Sequence, residues 1–201
     1  MTPVYKLSAN SVKNGRTVYG SMLAGNTAYV VPADFQSIAT ASGDGTNFEI
    51  TFSSIPSTFA HLQIRCLAKS TAGTPAINLR INGDTGSNYT RHRLIGSGTS
   101  ASATGDVSQT QIPVLGNAGL PSASNTYGVA IYDILDYTNT NKYTTVRVLA
   151  GQDSNGSGGV DFTSGLWLNT AVISSLTFKT ANSGEPFTTA TQFALYGIKA
   201  A

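Results

Sequence analysis

The chain has 201 residues and a formal net charge of +2, with 40% hydrophobic and only 11% charged residues. That length suits one large domain, or a moderate domain with an arm, and a chain of this size buries roughly 70% of its unfolded surface, so a core forms without disulfides or a structural metal. The basic residues are scattered, with Arg91-His92-Arg93 the sole local concentration, which excludes the dense Lys/Arg stripe of a protein that binds phosphate backbones.

The shortage of charge is filled by Gly, Ser, Thr and Asn, a mixture that favours strands joined by tight polar turns. Residues 1–27 come first. They are polar and weakly periodic, with Val4, Tyr5, Leu7, Val12, Val18, Tyr19, Met22 and Leu23 spread among Ser, Asn and Lys. Such a stretch buries little of itself and is expected to be an extended N-terminal arm that orders against something else, the alternative being a disordered leader. It carries no basic-then-apolar signal pattern, and no apolar run approaches the ~18 residues of a membrane span. Cytoplasmic synthesis without membrane insertion is therefore expected.

Residues 28–201 alternate strand and turn. Ala28–Val31 and Phe35–Ala41 are separated by Pro32, and Ser42-Gly43-Asp44-Gly45 turns into the alternating Phe48–Phe52. Leu62–Ala68 is apolar at every second residue and holds Cys66, the one cysteine, which reads as a small core hydrophobe rather than a catalytic thiol. Ile77, Leu79 and Ile81 form the next inward face, closed by Asn82-Gly83-Asp84. From Gly96 to Asn125 the sequence predicts a long loop, strand-like only over Gln109–Leu115, as a binding surface or inter-subunit contact. Strands are then expected at Tyr127–Tyr137, Tyr143–Ala150, Val160–Leu168, Val172–Thr180 and Gln192–Lys199. In all, about ten strands and no helix predict an all-β, jelly-roll-like antiparallel β-sandwich.

The inventory for catalysis is poor. Glu49 and Glu185 are the only glutamates and His61 and His92 the only histidines. Asp133 and Asp136, three apart on one strand, would point to opposite faces, which defeats a paired-carboxylate mechanism. Asp133 reads as a bulge or edge feature that shifts the strand's phase. Neither a Gly-x-Ser-x-Gly elbow nor a phosphate-cradling loop is present, so no enzyme and no cofactor are expected. Asp153, Asn155, Ser157 and Asp161 echo the oxygen ligands of a calcium loop, but Ser164 stands where a bidentate Glu would be needed, and a Gly-rich hairpin turn accounts for the same residues. Trp167, Tyr89, Tyr137 and Tyr143 are candidate stacking platforms for a sugar, against a reading of Trp167 as a core or interface anchor.

Three segments carry a resemblance. They are Phe52-Ser53-Ser54-Ile55-Pro56-Ser57-Thr58-Phe59 leading into His61–Arg65, then Asn82-Gly83-Asp84-Thr85-Gly86-Ser87-Asn88-Tyr89, and last the series Ile134–Tyr137, Asn141–Tyr143, Gly165–Trp167 and Leu195–Lys199. Over roughly residues 46–199 the chain resembles a β-sandwich domain found in structural proteins of tailed bacteriophages, especially their tail, fibre and receptor-binding components. The resemblance implies a virion protein, assembled in the host bacterial cytoplasm and joined to other virion proteins through the N-terminal arm. A tail-associated fibre or receptor-binding component is the leading expectation, with a host surface glycan as a candidate partner. A capsid decoration protein and a free carbohydrate-binding module are the alternatives. A homotrimer is expected, because rings close otherwise exposed edges.

Overall fold

The computed structural model of the chain describes residues 34–73, 76–114 and 120–199. The expected 1–27 arm and the Ala28–Val31 strand lie outside these. Among the described residues there are twelve strands: β1 Phe35–Ser42, β2 Glu49–Phe52, β3 His61–Ala68, β4 Ile77–Ile81, β5 Tyr89–Ser97, β6 Ser100–Gln109, β7 Ile112–Val114, β8 Gly128–Leu135, β9 Thr144–Asp153, β10 Gly158–Trp167, β11 Leu176–Thr180 and β12 Gln192–Ile198.

They form two antiparallel sheets, an eight-stranded one in the order β1-β12-β3-β8-β9-β10-β5-β6 and a four-stranded one in the order β2-β11-β4-β7. Set aside the β5–β6 and β9–β10 hairpins and renumber the remaining strands along the chain. The sheets then read 1-8-3-6 and 2-7-4-5, the strand order of a jelly roll. The two hairpins are insertions into this frame, and both add to the same edge of the same sheet. β10 joins them, pairing with β9 on one side and with β5 on the other.

Strict alternation along each strand builds the core. Leu62, Ile64, Cys66 and Ala68 of β3 face inward, as do Val146 and Val148 of β9, against Leu79, Ile81 and Phe178 of the smaller sheet. Phe178 is the hub, packed edge-on against Tyr132 and Phe52 and tilted against Phe193. Such offset contacts between aromatic rings contribute about 0.5–1.5 kcal/mol each beyond the burial of area. Asn82-Gly83 makes the tight turn expected of it, with φ of 52° and 66°, and Asp84 N–H donates to Ile81 C=O at 2.9 Å.

Three expectations are corrected. The stretch from Gly96 is not a loop throughout: β5 runs to Ser97, and Ser100–Gln109 is a ten-residue edge strand. β11 begins at Leu176, because Asn82 holds the preceding residues as a loop, its amide donating to Val172 C=O and accepting from the N–H groups of Ser174 and Ser175. Finally, β8 passes Asp133 with no break in register on either side, so no bulge is present there.

One close approach tests the packing. A Cβ added at Gly197, on the inward face of β12, would stand 2.3 Å from the Phe59 ring. Gly197→Ala is expected to destabilise the fold by about 1–3 kcal/mol through overpacking, read as a lower urea midpoint with an unchanged slope.

Candidate functional site

Doubling the width of one sheet has two effects. The inner faces of the added strands extend past the smaller sheet, and the outer face becomes a broad surface.

The inner side carries the polar groups. Arg91, Arg93 and Ile95 of β5 point inward, beside Gly165, Thr163 and Asp161 of β10. Arg93 Nη2 lies 2.8 Å from Asp161 Oδ2, and both side chains are buried. Thr163 Oγ1 donates to the other carboxylate oxygen of Asp161 at 2.8 Å. Arg91 pairs with Asp106 of β6 and donates from Nη1 to Pro113 C=O of β7, which fastens the inserted strands to the smaller sheet. The one basic concentration in the sequence is thus largely engaged in internal ion pairs, and only His92 of the three turns outward.

The outer face is apolar where the inserted strands lie. Register aligns Leu67, Val129, Gly151, Val160, Gly96 and Ala101 in one row across β3, β8, β9, β10, β5 and β6. The next row reads Arg65, Ile131, Leu149, Phe162, Leu94 and Ala103, and the third Gln63, Asp133, Arg147, Ser164, His92 and Gly105. Val160, Leu149, Leu94 and Val129 are 61%, 58%, 56% and 51% exposed. Nothing among the described residues covers them. Gly96 and Gly151 floor a shallow groove of about 860 Å³ between the valines, rimmed by the β9–β10 turn. At the other end of the sheet the outer aromatics are already capped. Phe35 and Tyr196 stack at 4.7 Å, with the Arg65 guanidinium 5.4 Å and 5.7 Å from their ring centres.

The residues singled out in the sequence fall elsewhere. Trp167, Tyr89 and Tyr137 are buried, and only Tyr143 is exposed. Trp167 Nε1–H donates to Asp84 Oδ2 at 2.8 Å, and the Tyr89 hydroxyl bonds to Ile81 and Asp84, so these rings anchor the loop after β4. Tyr137 donates its hydroxyl to Pro56 C=O. Asp153, Asn155 and Ser157 form the β9–β10 turn, closed by Ser154 N–H to Ser157 C=O at 2.7 Å. Asp161 faces the core, so the four oxygens do not converge. Asp133 accepts from Gln63 Nε2 at 2.8 Å on the outer face, while Asp136 lies past the end of β8 with Lys142 2.8 Å and His61 3.6 Å away. Glu49 pairs with Lys179 at 3.1 Å, and Glu185 accepts from Asn182.

Sequence reading missed the outer face. The signal was present in β8, where Val129, Ile131 and Leu135 alternate with Ala130, Tyr132 and Ile134 and make both faces apolar.

No protein-family pattern and no curated protein matches the chain. A solved structure of a protein of unknown function from Shewanella oneidensis MR-1 aligns over 83% of this chain and 77% of its own, at 8% identity and a TM-score of 0.21. A likeness that low carries no argument.

Two predictions follow from these environments. Burial opposes ionisation of Asp84, but hydrogen bonds from Trp167, Asn88 and the Gly86 N–H outweigh it and hold the carboxyl below its ordinary value. The stability this contributes is present above the unfolded value, near pH 4, and is lost as pH falls through the lower folded value. The melting temperature of Asp84→Asn is expected to lie below that of the parent at neutral pH, with the gap narrowing below pH ~4. The Cys66 thiol is pushed up to about 12 by burial. A maleimide is expected to label it only after denaturant is added.

Proposed function

We propose that the chain is a structural subunit of a tailed-bacteriophage particle, most specifically a tail-associated fibre or receptor-binding component. In this reading the N-terminal arm attaches it and the jelly roll presents its faces to neighbours. One observation carries the assembly part: two separate insertions widen one sheet, and together they expose an apolar outer face instead of the charged surface of a free-standing domain. The bacteriophage part rests on the resemblance carried by the three segments above.

The apolar face also favours a second reading, capsid decoration, since a face of this kind fits a protein surface better than a sugar. Stacking on glycans would need exposed rings, and three of the four candidate aromatics lie in the core. Contact with a host glycan is therefore assigned no residues.

Two measurements test the proposal. A truncated chain starting at Thr27 is expected to keep its melting temperature and to lose incorporation into particles. Normal incorporation would remove the anchoring role of the arm. On an array of host polysaccharides, strong selective binding supports the receptor-binding reading, whereas silence weakens it and leaves capsid decoration ahead.

A further inference from the structure

We infer that the outer face of the wide sheet is closed by the same face of a second copy of this chain, about a two-fold axis parallel to the strands and midway between β9 and β10. This deepens the assembly reading by naming the partner, and it rests on that reading in taking the face as a docking surface.

The geometry follows from the rows. Rotation about such an axis keeps strand direction, lays β9 over β10 of the second copy, β8 over β5 and β3 over β6, and brings each row onto itself. Two sheets stacked in this way pack aligned, about 10 Å apart. In the first row Val129 then meets Gly96, Val160 meets Gly151, and Leu67 meets Ala101. Every large side chain stands over a glycine or alanine, and each valine enters the groove floored by the other copy's glycine. In the second row Leu149 meets Phe162 and Ile131 meets Leu94, four exposed apolar side chains that bury one another, while Arg65, its guanidinium drawn aside over Phe35 and Tyr196, stands opposite Ala103 at the rim. In the third row Asp133 meets His92, Arg147 meets Ser164, and Gln63 meets Gly105, so no like charges oppose. An arbitrary sheet surface does not complement itself about one axis in three successive rows.

The size is sufficient. Six strands spaced by about 4.8 Å and three rows spaced by about 7 Å make a patch on the order of 500 Å², which side-chain relief raises toward the ~800 Å² per partner of a standard interface. The interface is isologous and closes at two copies, leaving the β6 edge free for other contacts. It takes the place of the three-fold ring expected from the sequence.

Sedimentation equilibrium of the full chain at micromolar concentrations tests the pairing. A dimer mass is expected, with Leu149→Asp raising the dissociation constant at least a hundredfold and leaving the melting temperature within a few degrees. Leu149→Thr, which keeps a good strand residue, provides the same test if the aspartate unfolds the sheet. The double variant Ile131→Cys with Leu94→Cys adds the register. Within one chain these positions are three strands apart, about 14 Å, so a short thiol crosslinker should yield dimers on a denaturing gel. A monomer or trimer mass, or a dimer that neither Leu149 variant weakens, overturns the inference. If the chain is monomeric but Leu149→Asp still blocks its incorporation into particles, the second copy is wrong and the assembly reading stands. If Leu149→Asp changes neither mass nor incorporation, both fall.

Discussion

The buried ion pair between Arg93 and Asp161 joins β5 to β10, the pairing through which the two inserted hairpins meet. An ion pair out of water recovers its desolvation cost only with good geometry and further partners; Asp161 also accepts from Thr163, whereas among the described residues Arg93 Nε and Nη2 make no aligned hydrogen bond. Removing either charge would strand the other, typically at about 3–5 kcal/mol. Arg91, one row away, ties the same strand to β6 and to the backbone of β7. The inserted hairpins are therefore held to the jelly roll in two ways, by these charges and hydrogen bonds and by Tyr89, Val146, Val148 and Trp167 in the shared apolar core.

This division explains the distribution of side chains on the two faces. Inside, the original eight strands pack a conventional apolar core around Phe178. Inside the extension, Val146 and Val148 of β9, Tyr89 of β5 and Trp167 of β10 continue that core, and Arg91, Arg93, Asp161 and Thr163 add polar groups beside it. Outside, the pattern is inverted: the apolar side chains crowd onto the added strands and their neighbours β3 and β8, while the β1 and β12 end is capped by Arg65. The widened sheet thus turns a two-layer domain into a body with one large apolar layer that no described residue covers.

Most of the frame was legible from period-two alternation. β2, β3, β4, β8, β9, β10 and β12 were placed to within a few residues, because each shows the core one apolar face. β5 was not, since two of its inward positions are Arg91 and Arg93, and inward charges erase the alternation. Nor was β6, an edge strand of Ser, Ala, Thr and Gly exposed on both faces, with nothing to distinguish it from a loop. At β8 the error ran the other way, and apolarity on both faces was taken as a slip in phase at Asp133. Charge where a core was expected, and grease where water was expected, are both consequences of the same widening. Three of the four aromatic residues that stood out as sugar platforms are anchors instead; for Trp167 the reason is Asp84, a carboxylate acceptor for its indole that the sequence places 83 residues away.

The pairing of β1 has a kinetic consequence. Among the described residues its one neighbour in the sheet is β12, the last of the twelve strands, and β12 in turn docks on β3. The β5–β6 hairpin likewise waits for β10, made about seventy positions later in the chain. During synthesis the early strands therefore emerge without partners, and closing such long loops slows formation of the native sheet. Until the final strand arrives, unpaired edges and uncovered apolar rows are exposed together, where they are liable to the wrong neighbour.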